Sequence, residues 1–304
     1  MRIGLFGDGK WAQLALNKIL GDPNFEVSFL VPRYDKPDQV LIKIAETSNI
    51  PVLLHGNVNS IDFIEKLAKH NADIFVSMSF DQIFKGELIK LTPYGVINCH
   101  AGALPYYRGR NVLNWAIING EDSFGVTVHY VDEGIDTGDI IIQKHVDIAI
   151  DDDYSTLLEK AYSNCADALY AALKLISQGN VQITKQESIH PVGFYCGRRI
   201  EGDELIDWNW NSRRIYDFIR AITVPGPCAR TYLQKDSLAV VKSELIINAP
   251  NYIGTPGEVL SKDSRGIVIK TGDSTLRITY VAKLNNNVPV DFIVPKYKIG
   301  TRLG

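Results

Sequence analysis

The first hundred residues alternate short apolar runs with segments whose apolar residues recur at helical spacing. Strands are predicted at residues 2–6, 26–31 and 72–77, and helices at residues 12–20 and 61–70. Strands that alternate with helices in this way are typical of a parallel sheet with helices on both faces. Ligands of such a sheet bind at the carboxyl ends of its strands.

The pattern then predicts two more strands, at residues 125–131 and 139–148, followed by the longest helix of the chain at residues 151–178. Acidic residues open this helix, where they favour the N-terminal end of the helix dipole, and Gly179 suits its end. The apolar face of the helix includes Cys165. We therefore interpret the helix and its cysteine as part of the core.

Beyond Cys196 the pattern changes. A short amphipathic helix is predicted at residues 211–222, and Pro225-Gly226-Pro227 ends it. Residues 257–281 then alternate apolar and polar positions between turn residues, which predicts a small β-barrel similar to an OB-fold. The chain is thus expected to be an α/β protein with a Rossmann-like domain at 1–195 and an OB-like β domain at 196–304.

The candidate chemistry lies where one predicted strand opens into a loop. The apolar run at residues 95–97 leads into Asn98 and His100, and Gly102 and Pro105 break the regular structure after them. Asn98 and His100 are two positions apart, so in an extended strand both side chains project from the same face. An amide and an imidazole are therefore expected side by side at a strand end.

A third group, Asp136, follows the histidine thirty-six positions later. Acyl transfer to an amine needs a donor that stabilises an oxyanion and a group that takes a proton from the nitrogen. Asn98 offers an N–H, His100 can donate or accept, and Asp136 could orient the imidazole. The alternative is structural, because strand-end histidines are commonly hydrogen-bonded core residues and asparagine commonly forms turns.

Three segments carry a family resemblance: residues 100–111, residues 124–129 and residues 134–140. In their order and spacing they resemble the formyltransferases that use 10-formyltetrahydrofolate. The resemblance is close from the N-terminus to about Gly193 and looser beyond. It implies that Asn98, His100 and Asp136 are the catalytic trio.

The resemblance also implies where the folate binds. The family holds the pterin in a pocket lined mostly by backbone beside the trio, which maps onto the loop at residues 79–83 and the segment at residues 134–138. The residues implied in binding the co-substrate 10-formyltetrahydrofolate are Ser79, Phe80, Asp81, Gln82, Ile83, Gly134, Ile135, Thr137 and Gly138. A homodimer through the C-terminal part is compatible with the family.

Composition narrows the functional classes. The net charge of −3 gives no general attraction to nucleic acid, and no apolar run approaches the length of a membrane helix, roughly 20 residues. The four cysteines lie too far apart for a Cys-x-x-Cys zinc or redox motif, so free thiols, a cytoplasmic location and no metal are expected.

One motif supports a different enzyme class. The turn Gly7-Asp8-Gly9-Lys10-Trp11-Ala12 fits the dinucleotide fingerprint directly after the first predicted strand. No acidic residue ends the second strand, where Arg33 would tolerate the extra phosphate of NADP. An NADP-dependent oxidoreductase is therefore an alternative, whereas in a formyltransferase the same turn could face a diphosphate.

The residues 107–116 look most like those of the sugar-nucleotide N-formyltransferases, which formylate amino sugars on a nucleoside diphosphate in polysaccharide biosynthesis. The first prediction for this chain is therefore that it formylates the amine of a nucleotide-linked amino sugar. Lys10, Arg33 and Arg108 are the candidate diphosphate-binding residues on charge grounds. The second prediction is a methionyl-tRNA formyltransferase, disfavoured because 35 acidic residues outnumber 32 basic ones.

Overall fold

The computed structural model describes all 304 residues, and the contacts among them divide the chain into two compact units. Unit 1 comprises residues 1–112, 124–146 and 159–196, and unit 2 comprises residues 113–123, 147–158 and 197–304. The predicted division near residue 196 remains a prediction, because two earlier segments also group with unit 2.

The regular elements follow the predicted alternation. The helices are α1 Gly9–Leu20, α2 Gln39–Thr47, α3 Ile61–Ala68, α4 Gly86–Ile89, α5 Val112–Ile118, α6 Tyr154–Ser177, α7 Gln186–Ile189 and α8 Ser212–Ile222. The strands are β1 Arg2–Gly7, β2 Glu26–Val31, β3 Ile74–Met78, β4 Val96–His100, β5 Arg108–Gly109, β6 Ser123–Tyr130, β7 Ile140–Asp147, β8 Tyr195–Cys196, β9 Ala229–Leu233, β10 Asp236–Leu245, β11 Val259–Asp263, β12 Gly266–Lys270, β13 Thr275–Asn285 and β14 Val288–Ile293.

The large sheet has the strand order β2-β1-β3-β4-β6-β7. Strands β1 to β4 pair in parallel, and β6 pairs antiparallel with β4. Strand β3 is buried at every position, as expected for a parallel strand covered on both faces. The predicted α/β class with a parallel-dominated sheet is confirmed.

Aromatic rings fill the core on one side of this sheet. The Phe6 ring lies 5.8 Å from Phe29, 5.3 Å from Phe75 and 5.0 Å from Phe84, each in an edge-to-face arrangement. Phe80 lies 5.6 Å from Phe6 and stacks on Phe84. Because Phe80 belongs to the loop that follows β3, this core supports the loop predicted to bind folate.

Unit 2 contains the second sheet, with the order β11-β12-β13-β10-β9 and with β14 on β13. Its strand pairs are antiparallel, which confirms the predicted small C-terminal β domain. Helix α8 begins after Asn211, whose side chain accepts a hydrogen bond from the Arg214 N–H. Ile215 and Ile219 on this helix are buried, as the helical spacing predicts.

None of the helices has both the length and the apolar character needed to cross a lipid bilayer. The four cysteines are free and buried.

The aromatic core provides a test of the fold. We expect Phe6→Ala to lower the free energy of unfolding by about 3–5 kcal/mol, because the ring is fully buried among four others. Urea denaturation followed by circular dichroism measures the change. The control is Ile61→Ala on α3, whose side chain is 77% exposed and whose loss should cost less than about 0.5 kcal/mol. Equal effects of the two substitutions would contradict this core.

Candidate active site

Asn98 and His100 lie at the carboxyl end of β4, an inner strand of the large sheet. Asn98 lies opposite His129 of β6, and His100 lies opposite Thr127. Cys99, between them, donates its thiol to the Cys165 carbonyl at 3.5 Å. Asn98 and His100 both line one cleft, and their side chains contact His129 and Asp136, which also contact each other, in agreement with the alternation predicted for an extended strand.

Asp136 lies in the loop after β6 and is brought to the same place. Its Oδ2 is 3.6 Å from His100 Nδ1, and its Oδ1 is 3.5 Å from His129 Nε2. Asp136 has the left-handed backbone angle φ of 55°, which residues with a side chain rarely adopt. The structure therefore brings the three predicted groups together, while their catalytic roles remain a prediction.

A backbone N–H completes the environment of the carboxylate. The Gly109 N–H donates to Asp136 Oδ2 at 2.8 Å. Gly109 belongs to β5. The N–H groups of its two chain neighbours, Arg108 and Arg110, donate to the carbonyls of Phe194 and Cys196. A Cβ at residue 109 would lie 2.6 Å from the Cys196 carbonyl, and φ is +93°, so glycine is required here.

The position of the histidine proton follows from the contacts of the His100 ring. Nε2 lies 2.6 Å from the Tyr107 carbonyl, which can only accept, so Nε2 carries the hydrogen. Nδ1 is then the atom that takes up a proton, directly facing Asp136. Burial lowers the pKa of His100 below its ordinary value, although the Asp136 charge opposes this. The resting imidazole is therefore neutral near pH 7.

Asp136 is ionised under the conditions in which His100 is neutral. Burial alone would raise the pKa of Asp136, but the positive charges that His100 and His129 carry when protonated, together with the Gly109 N–H, outweigh it and lower the pKa to about 2. Asp136 therefore stays ionised throughout the physiological range. An ionised carboxylate facing an unprotonated Nδ1 forms a pair that readily holds one proton between two acceptors.

His129 is a site residue that the sequence reasoning missed. Its Nδ1 lies 2.8 Å from the Tyr130 carbonyl and so carries the hydrogen, which leaves Nε2 as an acceptor. The Asn98 Nδ2 donates to this Nε2 at 3.2 Å. His129 thereby fixes the orientation of the Asn98 amide. The signal was present in the segment at residues 124–129, but the pairing of β4 with β6 could not be inferred from sequence.

The cleft beside these groups has a volume of about 460 Å³, within the usual range for small-molecule sites. All five residues of the predicted folate loop, 79–83, line it, together with Gly134, Ile135 and Asp136. Thr137 and Gly138 lie outside its lining, and the Thr137 hydroxyl donates to Asp132. The Gln82 side chain holds the Val58 N–H and the His55 carbonyl.

The three predicted diphosphate-binding cations have different environments. Arg33 lines the cleft, but its guanidinium already contacts Asp35 at 3.0 Å and Asp81 at 3.4 Å. Lys10 lies outside the lining and pairs with Glu159 at 2.5 Å. Arg108 is also outside the lining, and donates to the Gln186 amide. Only Arg33 is thus placed where a cleft ligand could contact it.

The glycine-rich turn presents a carboxylate instead of an open anion site. Asp8 occupies the position before α1, and Gly9 begins the helix with a φ of 61°. Burial raises the pKa of Asp8, which Arg33 partly offsets. A carboxylate at this helix N-terminus would repel a diphosphate, so the turn serves the fold by allowing a tight strand-to-helix connection.

The proton pair yields a prediction that needs no substrate. We expect Asp136→Asn to lower the pKa of His100 further below 6.5, because the substitution removes the charge that attracts its proton. Imidazole NMR during a pH titration measures this value. Asp132→Asn, which alters an exposed carboxylate of the same loop, is the control. A rise in the His100 pKa, or no change, would contradict the geometry.

The formyl transferase family model matches residues 1–173, and the model of the formyl transferase C-terminal domain matches residues 200–289. A methionyl-tRNA formyltransferase of Fusobacterium nucleatum is 32% identical over 315 residues, covering 100% of both chains. One from Clostridium acetobutylicum is 31% identical over 290 residues, covering 92% of this chain and 91% of the relative.

Solved structures show a similar fold. The sugar 3N-formyl transferase WlaRD, crystallised with dTDP and 5-N-formyl-THF, superimposes with a TM-score of 0.67 at 24% identity, covering 91% of this chain and 97% of the other. An N-formyltransferase of Helicobacter canadensis gives a TM-score of 0.66 at 23% identity, with 91% and 99% covered. At these identities the likeness concerns the fold.

The predicted sugar-nucleotide acceptor is therefore wrong. Relatives that are 29% to 32% identical and align over 88% or more of their length are methionyl-tRNA formyltransferases. The residues used for the prediction hold the structure together: Arg108 bonds to Gln186, Asn114 to the Ala221 carbonyl and Trp115 to the Gly197 carbonyl. They therefore do not report the acceptor. The alternative of an oxidoreductase is also set aside, because the chain is a formyltransferase: it belongs to the formyl transferase family, as its resemblance to the enzymes that use 10-formyltetrahydrofolate indicated.

Proposed function

We propose that the protein transfers the formyl group of 10-formyltetrahydrofolate to the amino group of methionyl-tRNA. The observation that carries the proposal is the alignment of methionyl-tRNA formyltransferases with 90% or more of this chain at about 30% identity. The site geometry supports the reaction type. The Asn98 amide, the His100–Asp136 pair and the cleft proposed to bind the folate all lie within unit 1.

The cleft fits a flat donor ring followed by a longer tail. Phe80 in its lining stacks on Phe84, so one wall is a rigid apolar surface. The Gln82 side chain bonds to the Val58 N–H and the His55 carbonyl, which fixes a loop whose residues 79–83 all line the cleft. In the proposed complex this apolar wall covers a face of the pterin, and polar groups of the lining bond to the edge of its ring.

Asn98 is proposed to stabilise the oxyanion that forms when the amine attacks the formyl carbon. Its amide has two N–H donors, and one is used by His129 Nε2. The other can then point to the formyl oxygen from the cleft lining. Because His129 holds the amide before substrate binds, the donor need not reorganise during the reaction.

His100 and Asp136 are proposed to manage the proton. The attacking nitrogen forms a bond to the formyl carbon and loses a proton, which the pair accepts at His100 Nδ1 beside Asp136. The bond between the formyl carbon and the folate nitrogen then breaks, and that nitrogen receives a proton. Asp136 remains ionised and stabilises the imidazolium that forms between the two steps.

The charge distribution is compatible with an RNA substrate, although the total charge disfavoured one. Residues 197–304 contain 16 Lys and Arg against 11 Asp and Glu, whereas residues 1–196 contain 16 against 24. The C-terminal part is therefore basic, and phosphate binding depends on local basic groups. Lys242 of β10 is exposed and lies opposite Tyr280 of β13, which is 44% exposed. A cation beside an exposed ring suits a nucleotide strand.

The first test is formylation itself. We expect purified protein with 10-formyltetrahydrofolate to formylate methionyl-tRNA, detected as formyl-methionine by mass after the ester is cleaved. Asn98→Ala, His100→Ala and Asp136→Ala should each lower kcat/KM at least about a hundredfold, because each removes an oxyanion donor or part of the proton pair.

The control for these variants is Asn119→Ala, which changes an exposed asparagine outside the cleft. Normal formylation by the His100→Ala protein would exclude the proposed roles. A wild-type protein that binds the folate but formylates no methionyl-tRNA would exclude the acceptor.

The second test concerns the basic unit. We expect Lys242→Glu to raise the KM for methionyl-tRNA severalfold and to reduce the dependence of that KM on salt, with the KM for the folate unchanged, because a phosphate contact is lost. Lys69→Glu on the surface of unit 1 is the matched charge reversal. If both reversals change the KM for tRNA equally, only total charge matters and the local site is refuted.

A further inference from the structure

Gln186 is a buried polar residue that the proposed reaction does not use. It begins α7 and is only 4% exposed. Its Oε1 accepts two hydrogen bonds from Arg108, from Nε at 3.1 Å and from the terminal Nη2 at 2.6 Å. Its Nε2 donates to the Asp136 carbonyl at 2.9 Å and to the Gly138 carbonyl at 2.8 Å. All of the hydrogen-bonding groups of the side-chain amide are thus engaged.

The orientation of this amide is determined by its partners. A guanidinium can only donate, so the atom that faces Arg108 must be the oxygen. The nitrogen then faces the two carbonyls, which can only accept. The Arg108 guanidinium is itself held, because it lies 5.5 Å from the centre of the Tyr195 ring. The same strand pair, β5 with β8, aligns Arg108 with Tyr195.

The two carbonyls belong to the strained part of the site. Asp136 has a φ of 55°, a conformation in which a side chain crowds the backbone and which needs external support. Gln186 supplies that support by donating hydrogen bonds to the Asp136 carbonyl and to the Gly138 carbonyl. The Gly109 N–H holds the other end of the same residue, at Oδ2. The dipeptide Arg108-Gly109 therefore restrains Asp136 at its backbone, through Gln186, and at its carboxylate.

We propose that Gln186, oriented by Arg108, is a positioning residue that holds Asp136 against His100, an inference that rests on the proposed role of Asp136 in the proton pair. Neither Gln186 nor Arg108 lines the cleft, so both act through Asp136 and not on substrate. The groups that face the Asp136 carboxylate are His100, His129 and the Gly109 N–H, and Gln186 fixes the backbone from which it reaches them.

The experiment uses the full chain with Gln186→Met, which keeps the length of the side chain and removes both its donors and its acceptor. We expect kcat for formyl transfer to fall about tenfold to a hundredfold, because a displacement of about 1 Å at a reacting group has effects of this size. The KM for the folate should change less than twofold. Imidazole NMR should show a lower pKa for His100, since the carboxylate that attracts its proton has moved.

Arg108→Lys is the second variant, because it keeps the charge but cannot donate the paired hydrogen bonds. We expect the same direction of change with a smaller size. The control is Asn114→Leu, which removes another buried amide that donates to a backbone carbonyl, that of Ala221, with both residues in unit 2 and Asp136 in unit 1. It should lower the melting temperature and leave the His100 titration unchanged.

The NMR titration separates this inference from the proposed acceptor, since it needs no substrate. A folded Gln186→Met protein with a wild-type His100 pKa would overturn the inference, even if methionyl-tRNA is the acceptor. If Gln186→Met does not fold, Arg108→Lys decides in the same way. A lowered His100 pKa in a protein that formylates no methionyl-tRNA would support the inference and leave only the acceptor refuted.

Discussion

The burial of one carboxylate, that of Asp136, is the constraint on which the site depends. A buried charge is costly unless it is compensated, and here the Gly109 N–H donates to Oδ2 while two imidazoles, which can take up a proton, face the two oxygens. The same arrangement determines the neighbouring groups. It leaves His100 Nδ1 as the atom that receives a proton, and it brings His129 to where Asn98 can bond to it. The charge of Asp136, the tautomer of His100 and the orientation of the Asn98 amide thus depend on one another.

The sequence predicted the parts of the site that depend on local periodicity. The two-residue repeat placed Asn98 and His100 on one face of β4, and the strand and helix alternation predicted the parallel sheet. Asp136 was a candidate from its chemistry, and the family resemblance assigned it to the trio with Asn98 and His100. His129 was missed because strand register is set by tertiary pairing. Gln186 was missed because it contacts Asp136 across fifty residues of sequence.

Charge was the least reliable guide to function. A cation can neutralise a substrate, but it can also orient a neighbouring side chain, and the residue type does not distinguish these uses. Arg108 does the second, with Gln186 as its partner, while Lys10 pairs with Glu159 on the surface. Summing charges over the chain had a similar weakness, because the acidic residues before residue 197 conceal the basic character of those after it. Both inferences treated a charge without its surroundings.

The short strand pair of β5 and β8 has a consequence for the order in which the enzyme becomes competent. The residues that restrain Asp136 reach it only when the segment at 186–196 has returned to lie beside Arg108 and Gly109. The large sheet, whose last strand ends at Asp147, can be complete before that segment leaves the ribosome. During synthesis a nascent chain can therefore have a complete large sheet while Asp136 is not yet restrained. The fold then forms before the proposed site is ready to react.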